Sequence, residues 1–481
     1  AIVLAIKTKE VYLSLMSGIW LGWMVLSDWN VLEGSLASIQ ALVDVFKDAG
    51  STRTIMFGAL VGALILFIQR SGGVEGFIIF VQSKLKQIEK KRPGKNKKLI
   101  LLFTWLTGLL IFVESSISVL TVGALFRPLY DRYKIPREKL AYLADSSSAP
   151  SCILIPFNGW GAFIMGLLAG QGFADPFATL VKTIPFNIYP LLALAVALLS
   201  IMYGKDIGPM SAAEQRLRDS GKILPDDAQP LISDELTDAK TKAGIAPNLW
   251  NMVIPIATMI LMMPVLLAYT GWEAAVAEKG GRDFFTKLLF AMGQGSGSTS
   301  VLIAVISSLL VSGSWYGSRG MFSMKELMEM TIKGISELMP LALLMLFAFA
   351  ISNVCKELHT GEYVAGVANE WLSSGLVPLI VFLVSCFIAF STGTSWGTFA
   401  IMIAIAVPMA REMDADMLLT IAAALSGGVF GDHCSPISDT TILSSMAAAC
   451  DHIDHVRTQL PFALLAGGLS ALFYLAAGIL G

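Results

Sequence analysis

Apolar stretches separated by short charged ones recur along the chain, at 11–27, 55–69, 99–125, 140–170, 176–203, 249–269, 284–314, 335–354, 376–410, 417–449 and 460–480. Most reach the roughly 20 residues that cross about 30 Å of hydrocarbon. At that depth the backbone can satisfy its own N–H and C=O groups only as helix. The pattern therefore predicts an all-α polytopic membrane protein. The short apolar stub at 1–6 reads as the tail of a further helix, and the hydrophilic stretch 204–246 as one long polar loop dividing the chain.

The two halves resemble each other. "LADSSSAPSCILIP" around Asp145 parallels "FGDHCSPISDTTIL" around Asp432, and upstream Glu114-Ser115-Ser116 holds the place that Thr392-Gly393-Thr394 holds later. The stretch from Leu60 likewise parallels that from Leu341. Several motifs in one order predict a structural repeat, the usual build of secondary transporters.

Positively charged loops should face the cytoplasm. The stretch 84–98 is rich in Lys and Arg, 28–53 reads as a mainly acidic external loop, and 127–139 is basic again. Two successive loops on one side require that 99–125 does not cross but turns back as a re-entrant hairpin at Glu114–Ser118. By the repeat, 376–410 turns at Ser391–Trp396. An odd number of crossings between equivalent elements inverts the repeats, each with spanning helices, a hairpin and a broken helix. The resulting division is a first repeat at 1–203, a polar cytoplasmic loop and connecting helix at 204–283, and a second repeat at 284–481.

Composition agrees: 55 % of the 481 residues are hydrophobic and 15 % charged, against about 25 % charged in soluble domains. A net charge of -2 without a long basic tract excludes nucleic acid as a partner. The five cysteines form no C-x-x-C pair, which removes a disulfide framework and a zinc site. The glycine-rich "MGQGSGSTS" from Met292 lacks the G-K-[ST] of a phosphate loop and reads as a helix break, so no nucleotide cofactor is implied.

A charge within the membrane costs several kcal/mol and marks a functional candidate. Glu114, Asp145, Asp432 and Asp439 are such acids. Pro150 and Pro436 should break their helices, freeing carbonyls and half-helix dipole ends that, with carboxylates and hydroxyls, suit a hard cation. Ser391, Thr392, Thr394, Ser395 and Thr398 crowd the second hairpin with Gly393, as ligands or as small packing residues. Asn158, Ser146 and Thr440 are secondary candidates. His433 is either a proton shuttle or a hydrogen-bonded structural histidine, whereas His452 and His455 in "DHIDH" read as a solvated interfacial loop. A hydrolase built from Ser435 or Ser438 with His433 and an acid lacks the nucleophile-elbow or H-E-x-x-H strings.

"STGTSWGTFAIMIAIAVP", "GDHCSPISDTTILSS" and "LILFIQRSGGVEGF" closely resemble signature segments of the NhaC family of sodium/proton antiporters, over about residues 50–461. The resemblance implies inverted repeats with two hairpins, a moving transport region against a static scaffold, often a homodimer, in the inner membrane, with Na+ leaving as H+ enters. By position it implies a cation site at Asp432, Ser435, Asp439, Thr392, Thr394 and Ser395, with Na+ at Asp432, Asp439 and Thr392, and proton coupling at Asp145, Glu114 and Asp439. Relatives with similar motifs exchange organic acids such as malate and lactate, which keeps a metabolite carrier as the alternative.

Overall fold

The computed structural model describes residues 4, 8, 10–91, 96–112, 114–230, 241–279, 281–360, 363, 366 and 372–480. The stub at 1–6 lies, but for one residue, outside them. Among the described residues the chain is helical, and seven helices are long and apolar enough to cross a membrane, or nine if two bent pairs each count as one span.

The first half runs α1 (Val11–Leu26), α2 (Val31–Val45), α3 (Ala49–Arg70), α4 (Gly73–Lys91), α5 (Asn96–Leu110), α6 (Ser115–Arg132), α7 (Arg137–Leu154), α8 (Gly159–Gly170), α9 (Pro176–Thr183) and α10 (Ile188–Tyr203). A connecting region holds α11 (Pro209–Ser220), α12 (Trp250–Thr270) and α13 (Trp272–Lys279). The second half runs α14 (Phe284–Gln294), α15 (Gly297–Ser318), α16 (Met324–Glu337), α17 (Met339–Glu357), α18 (Val377–Thr392), α19 (Ser395–Glu412), α20 (Met417–Cys434), α21 (Asp439–Ala448) and α22 (His452–Leu480).

The repeat is a register of elements. Helices α6 and α19 are both 18 residues long, as are α7 and α20, each pair displaced by 280 positions (115 to 395, 137 to 417). Pro128 and Pro408 sit inside the first pair. Lys134 and Asp414 both take positive φ, 50° and 51°, in the corner that follows. Asn158 and Ser438 are the N-caps of α8 and α21. This register corrects the sequence alignment. Pro150 lies inside α7 without ending it; the interruption comes at 155–158 and contains Pro156, the equivalent of Pro436. Asp145 is then equivalent to Leu425, and Asp432 to Cys152.

Both pairs expected to form re-entrant hairpins are present as successive packed helices, but 374–392 in the second is long and apolar enough to cross a membrane, against the expectation that the pair does not cross. Helices α5 and α6 are tied together by Ser118 Oγ to the Gly108 carbonyl (3.1 Å) and Tyr130 OH to Thr104 (3.1 Å). With 15 and 18 residues, their arms measure about 22 and 27 Å, and neither is among the seven helices long and apolar enough to cross. Helices α18 and α19 turn at Gly393, whose φ of +68° favours glycine and where a Cβ would stand 2.5 Å from the Ile437 carbonyl oxygen. The hairpin tip thus rests directly on the backbone of the second helix break. A similar closeness joins α18 to α20, where a Cβ on Gly427 would lie 2.4 Å from the Phe382 carbonyl. Small residues bring membrane helices together in this way.

The broken helices pass each other in opposite directions. At one end of the fold Arg137, opening α7, holds Asp131 with two 3.0 Å bonds and donates to Ala449 O, at the end of α21. At the other end Arg411, just before α20, donates to Gln171 O, at the end of α8 (2.8 Å). Each corner that starts one broken helix therefore caps the finish of the other.

Three loop expectations are overturned. Within 28–53, residues 31–45 form α2, started by Asn30, whose side chain accepts from Leu32 and Glu33 N–H. The basic stretch from 84 is helical as far as Lys91. The polar stretch 204–246 carries α11, whose Met210, Ala213 and Leu217 are buried. Arg216 on α11 pairs with buried Glu138 (2.9 Å), and buried Lys139 pairs with Asp206. Removing one partner of such a buried pair costs about 3–5 kcal/mol, so this segment is fastened to the base of α7. The run 284–314 also divides, at Gly295–Ser296, where Ser296 caps α15.

Candidate functional site

Breaking a helix inside a membrane leaves carbonyls without partners, and each must be satisfied or it destabilises the fold. Here side chains take most of them. In the first break Asn158 Nδ2 donates to Phe112 O and Cys152 O, both at 2.8 Å, while its Oδ1 accepts from Gly161 N–H. In the second, Ser435 Oγ donates to Phe390 O (2.7 Å), Thr441 Oγ1 to Asp432 O (3.4 Å), Gln459 Nε2 to His433 O, and His452 Nε2 lies 2.7 Å from Pro436 O. The carbonyls expected to await a cation are thus largely engaged, and carboxylates and hydroxyls are left for that work.

Asp432 stands at the centre of those. It is 2 % exposed, near the end of α20; Ser438 Oγ donates to its Oδ1 (2.7 Å) and Ser395 Oγ, from the tip of the second hairpin, to its Oδ2 (3.2 Å). Thr440 Oγ1 is 3.0 Å from Ser438 Oγ. Asp439 opens α21, accepts from Thr440 N–H (2.8 Å) and is exposed, and its charge acts on Asp432 and on Glu114. Glu114 is partly exposed and caps α6, its carboxylate accepting from Ile117 N–H (3.0 Å) and from Ser115 and Ser116 hydroxyls (3.3 Å each). Ser118 donates to the Gly108 carbonyl and takes no part in holding Glu114.

The remaining predicted residues divide. Ser395 touches Asp432, and Thr440 adjoins it through Ser438. Thr392 Oγ1 donates to Ile388 O within its own helix (2.9 Å), Thr394 is the N-cap of α19, and Ser435 braces the hairpin. Asn158 is wholly committed to the first break. Trp396 packs between Trp160 (5.3 Å) and Phe163 (5.1 Å), seating the second hairpin on the first half.

Asp145 lies elsewhere, in the middle of α7 and fully buried. Gln459 Nε2 donates to its Oδ2 (2.7 Å), Thr441 Oγ1 lies 3.3 Å from the same oxygen, and His455 Nε2 lies 3.5 Å from it. His433 has Nε2 3.0 Å from Ser146 Oγ and Nδ1 2.6 Å from Tyr189 OH. It contacts neither Ser435 nor Ser438, so the hydrolase constellation does not form. The solvated reading of "DHIDH" is also overturned: His455 is fully buried, and His452 turns inward to Ser445 and Pro436. Gln459, Thr441 and Tyr189, and Ser438 as a partner of Asp432, go beyond what the sequence pattern shows. The spacing of His455 and Gln459, four apart on one face of a helix, is a signal for Gln459 alone.

Paired helix breaks, two hairpins and buried acids define a polytopic membrane transporter. A family model described as the Na+/H+ antiporter family matches residues 151–479, and the chain belongs to that family. It is 31 % identical to an uncharacterized protein of Haemophilus influenzae, over 99 % of this chain and 89 % of that one. It is 26 % identical to the malate-2H(+)/Na(+)-lactate antiporter of Bacillus subtilis, over 38 % of this chain and 40 % of that one. Its fold resembles the Alcanivorax borkumensis YdaH transporter, with a TM-score of 0.60, 12 % identity and 98 % of each chain covered.

Proposed function

We propose that this protein exchanges Na+ for H+ across the inner membrane by alternating access, Asp432 holding either ion. The observation that carries this reading is a buried carboxylate spanning the joint between a helix break and a hairpin tip, supplied with the Ser395 and Ser438 hydroxyls. A bare charge there is costly; a proton or a small cation relieves it, and occupancy by one displaces the other. Asp439, exposed and adjacent, is the acid through which an ion reaches Asp432. The opposed broken helices support the view that the halves are inverted repeats, a symmetry that lets one site open to either side.

Proteoliposomes carrying a pH gradient test this. Added Na+ is expected to dissipate the gradient; no response anywhere between about pH 6 and 9, around the working pH of an ionisable carrier group, overturns it. The similarity to the malate-2H(+)/Na(+)-lactate antiporter supports a second reading, exchange of a small organic acid with Na+ or H+. Against it, the Asp432 site is built of hydroxyls and carboxylates, while Arg137, Lys139 and Arg411 are engaged elsewhere. Binding scans of metabolites against Na+ and Li+ separate the two.

A further inference from the structure

Asp145 and His455 form a buried pair that the cation site does not use. Asp145 Oδ1, both ring nitrogens of His455 and Gln459 Oε1 are buried without a hydrogen-bond partner among the described residues. Unpaired polar atoms in a core are rare and costly, and four from three touching side chains mark a place built for something that comes and goes. A tightly held transition-metal ion does not suit it, since the described residues offer no group of three His, Cys, Asp or Glu side chains arranged to hold one.

We infer that His455, with Asp145 as its counter-ion, is a proton-carrying site separate from the Asp432 cation site; this rests on the Na+/H+ reading and deepens it. With a proton bound, imidazolium faces carboxylate across the 3.5 Å from Nε2 to Oδ2, and the buried charge of Asp145 is balanced. With the proton gone, Asp145 keeps Gln459 and Thr441 but no counter-ion. His433 cannot take this part, because both its nitrogens are engaged by Ser146 and Tyr189.

The groups around the pair come from every neighbouring helix. α7 adds Tyr142, and at its base Glu138, held by Arg216 of α11, which also carries Glu214. α20 brings Asp432, His433 and Cys434, α10 Tyr189, α21 Asp439, and α5 with α6 Glu114 at their shared tip and Lys97, Lys98, Tyr130 and Asp131 toward their far ends. α22 itself carries His452, Asp454 and Arg457.

Two bridges join the sites. Thr441 Oγ1 lies between Asp145 Oδ2 and the Asp432 carbonyl, and Gln459 Nε2 between the same carboxylate and the His433 carbonyl. Na+ arriving at Asp432 displaces the proton held there, and His455 takes that proton up and passes it on; a proton returning by way of His455 reloads Asp432 and expels the cation. The two sites thus act in series, Asp432 for the competition and His455 for the passage of the proton.

The full-length protein in proteoliposomes tests this by two fluxes, 22Na+/Na+ counterflow at fixed pH and Na+-driven proton flux over a pH series. Counterflow needs only the cation site and is expected to persist in His455→Gln, while proton flux falls roughly 100-fold, the scale of a lost proton-transfer group. Wild-type proton flux and pH profile in that variant overturn the inference. Should His455→Gln give no counterflow, Gln459→Glu decides alone: a second carboxyl beside Asp145 is expected to move the midpoint up by about one pH unit, and an unmoved midpoint overturns the inference. A wild type with no Na+-driven proton flux overturns the exchange reading itself, and this inference with it.

Discussion

The two helix breaks share a register but not a chemistry. At 155–158 an amide, Asn158, closes two carbonyls and a helix start by itself, and the position equivalent to Asp432 is Cys152, whose Sγ points at Phe112 O (3.4 Å). At 435–438 Asn158 is replaced by Ser438, which gives its hydrogen to a carboxylate, and the carbonyls are closed by residues from other helices. The first break is self-contained and neutral, the second is charged and depends on its neighbours. In the proposed reading a duplicated frame supports one cation site, at Asp432, because the equivalent position in the first break holds Cys152 in place of an acid.

The comparison can be broken in four ways. The largest effect is expected from Asp432→Asn, which keeps the shape but removes the charge and turns one of the two accepting oxygens into a donating amide. Na+-coupled exchange should fall at least about 100-fold, a loss of roughly 3 kcal/mol in holding the cation, while the protein still inserts. Wild-type exchange removes this residue from the mechanism. Next, Cys152→Asp copies the acid of the second break into the first, where it meets a carbonyl instead of hydroxyls. Burying it there should cost about 3 kcal/mol or more, seen as a collapse in the yield of monodisperse protein, with Cys152→Ser near normal.

Asn158→Ala should come third, leaving two buried carbonyls unpaired at about 1–3 kcal/mol each. A lower melting temperature with the Na+ KM unchanged is expected, since the first break binds no cation in this reading; a raised KM with normal stability would reverse the assignment of the two breaks. The smallest change is Ser395→Ala, which removes one hydroxyl from Asp432 and should raise the KM for Na+ about tenfold, or 1.4 kcal/mol, with kcat nearly intact. An unchanged KM would take the hairpin tip out of the site.

Much of the fold was legible because a membrane restricts the backbone so strongly. Apolar length announces a helix, a polar centre between two basic loops announces a hairpin, and the "GDHCSPISDTTIL" string announces the second break. The failures have physical causes as well. α11 is amphipathic and polar on average, which hides it from a search for apolar runs, whereas α2 is apolar but short and interrupted by Glu33, Gln40 and Asp44. Pro150 suggested an interruption, but a helix supported by packing on all sides tolerates the loss of one donor, and the register moved with it by several residues.

The amino-acid sequence by itself determined the class of protein, the repeated frame and the acids Glu114, Asp145, Asp432 and Asp439, because burial of charge and helix periodicity are local properties of the chain. Only the tertiary structure decided which groups meet those acids. Gln459 reaches Asp145 from 314 positions away, and Ser146 reaches His433 from 287. Such pairings depend on how α7, α20, α21 and α22 cross, and side-chain hydrogen bonds between helices leave no periodic trace in any one of them.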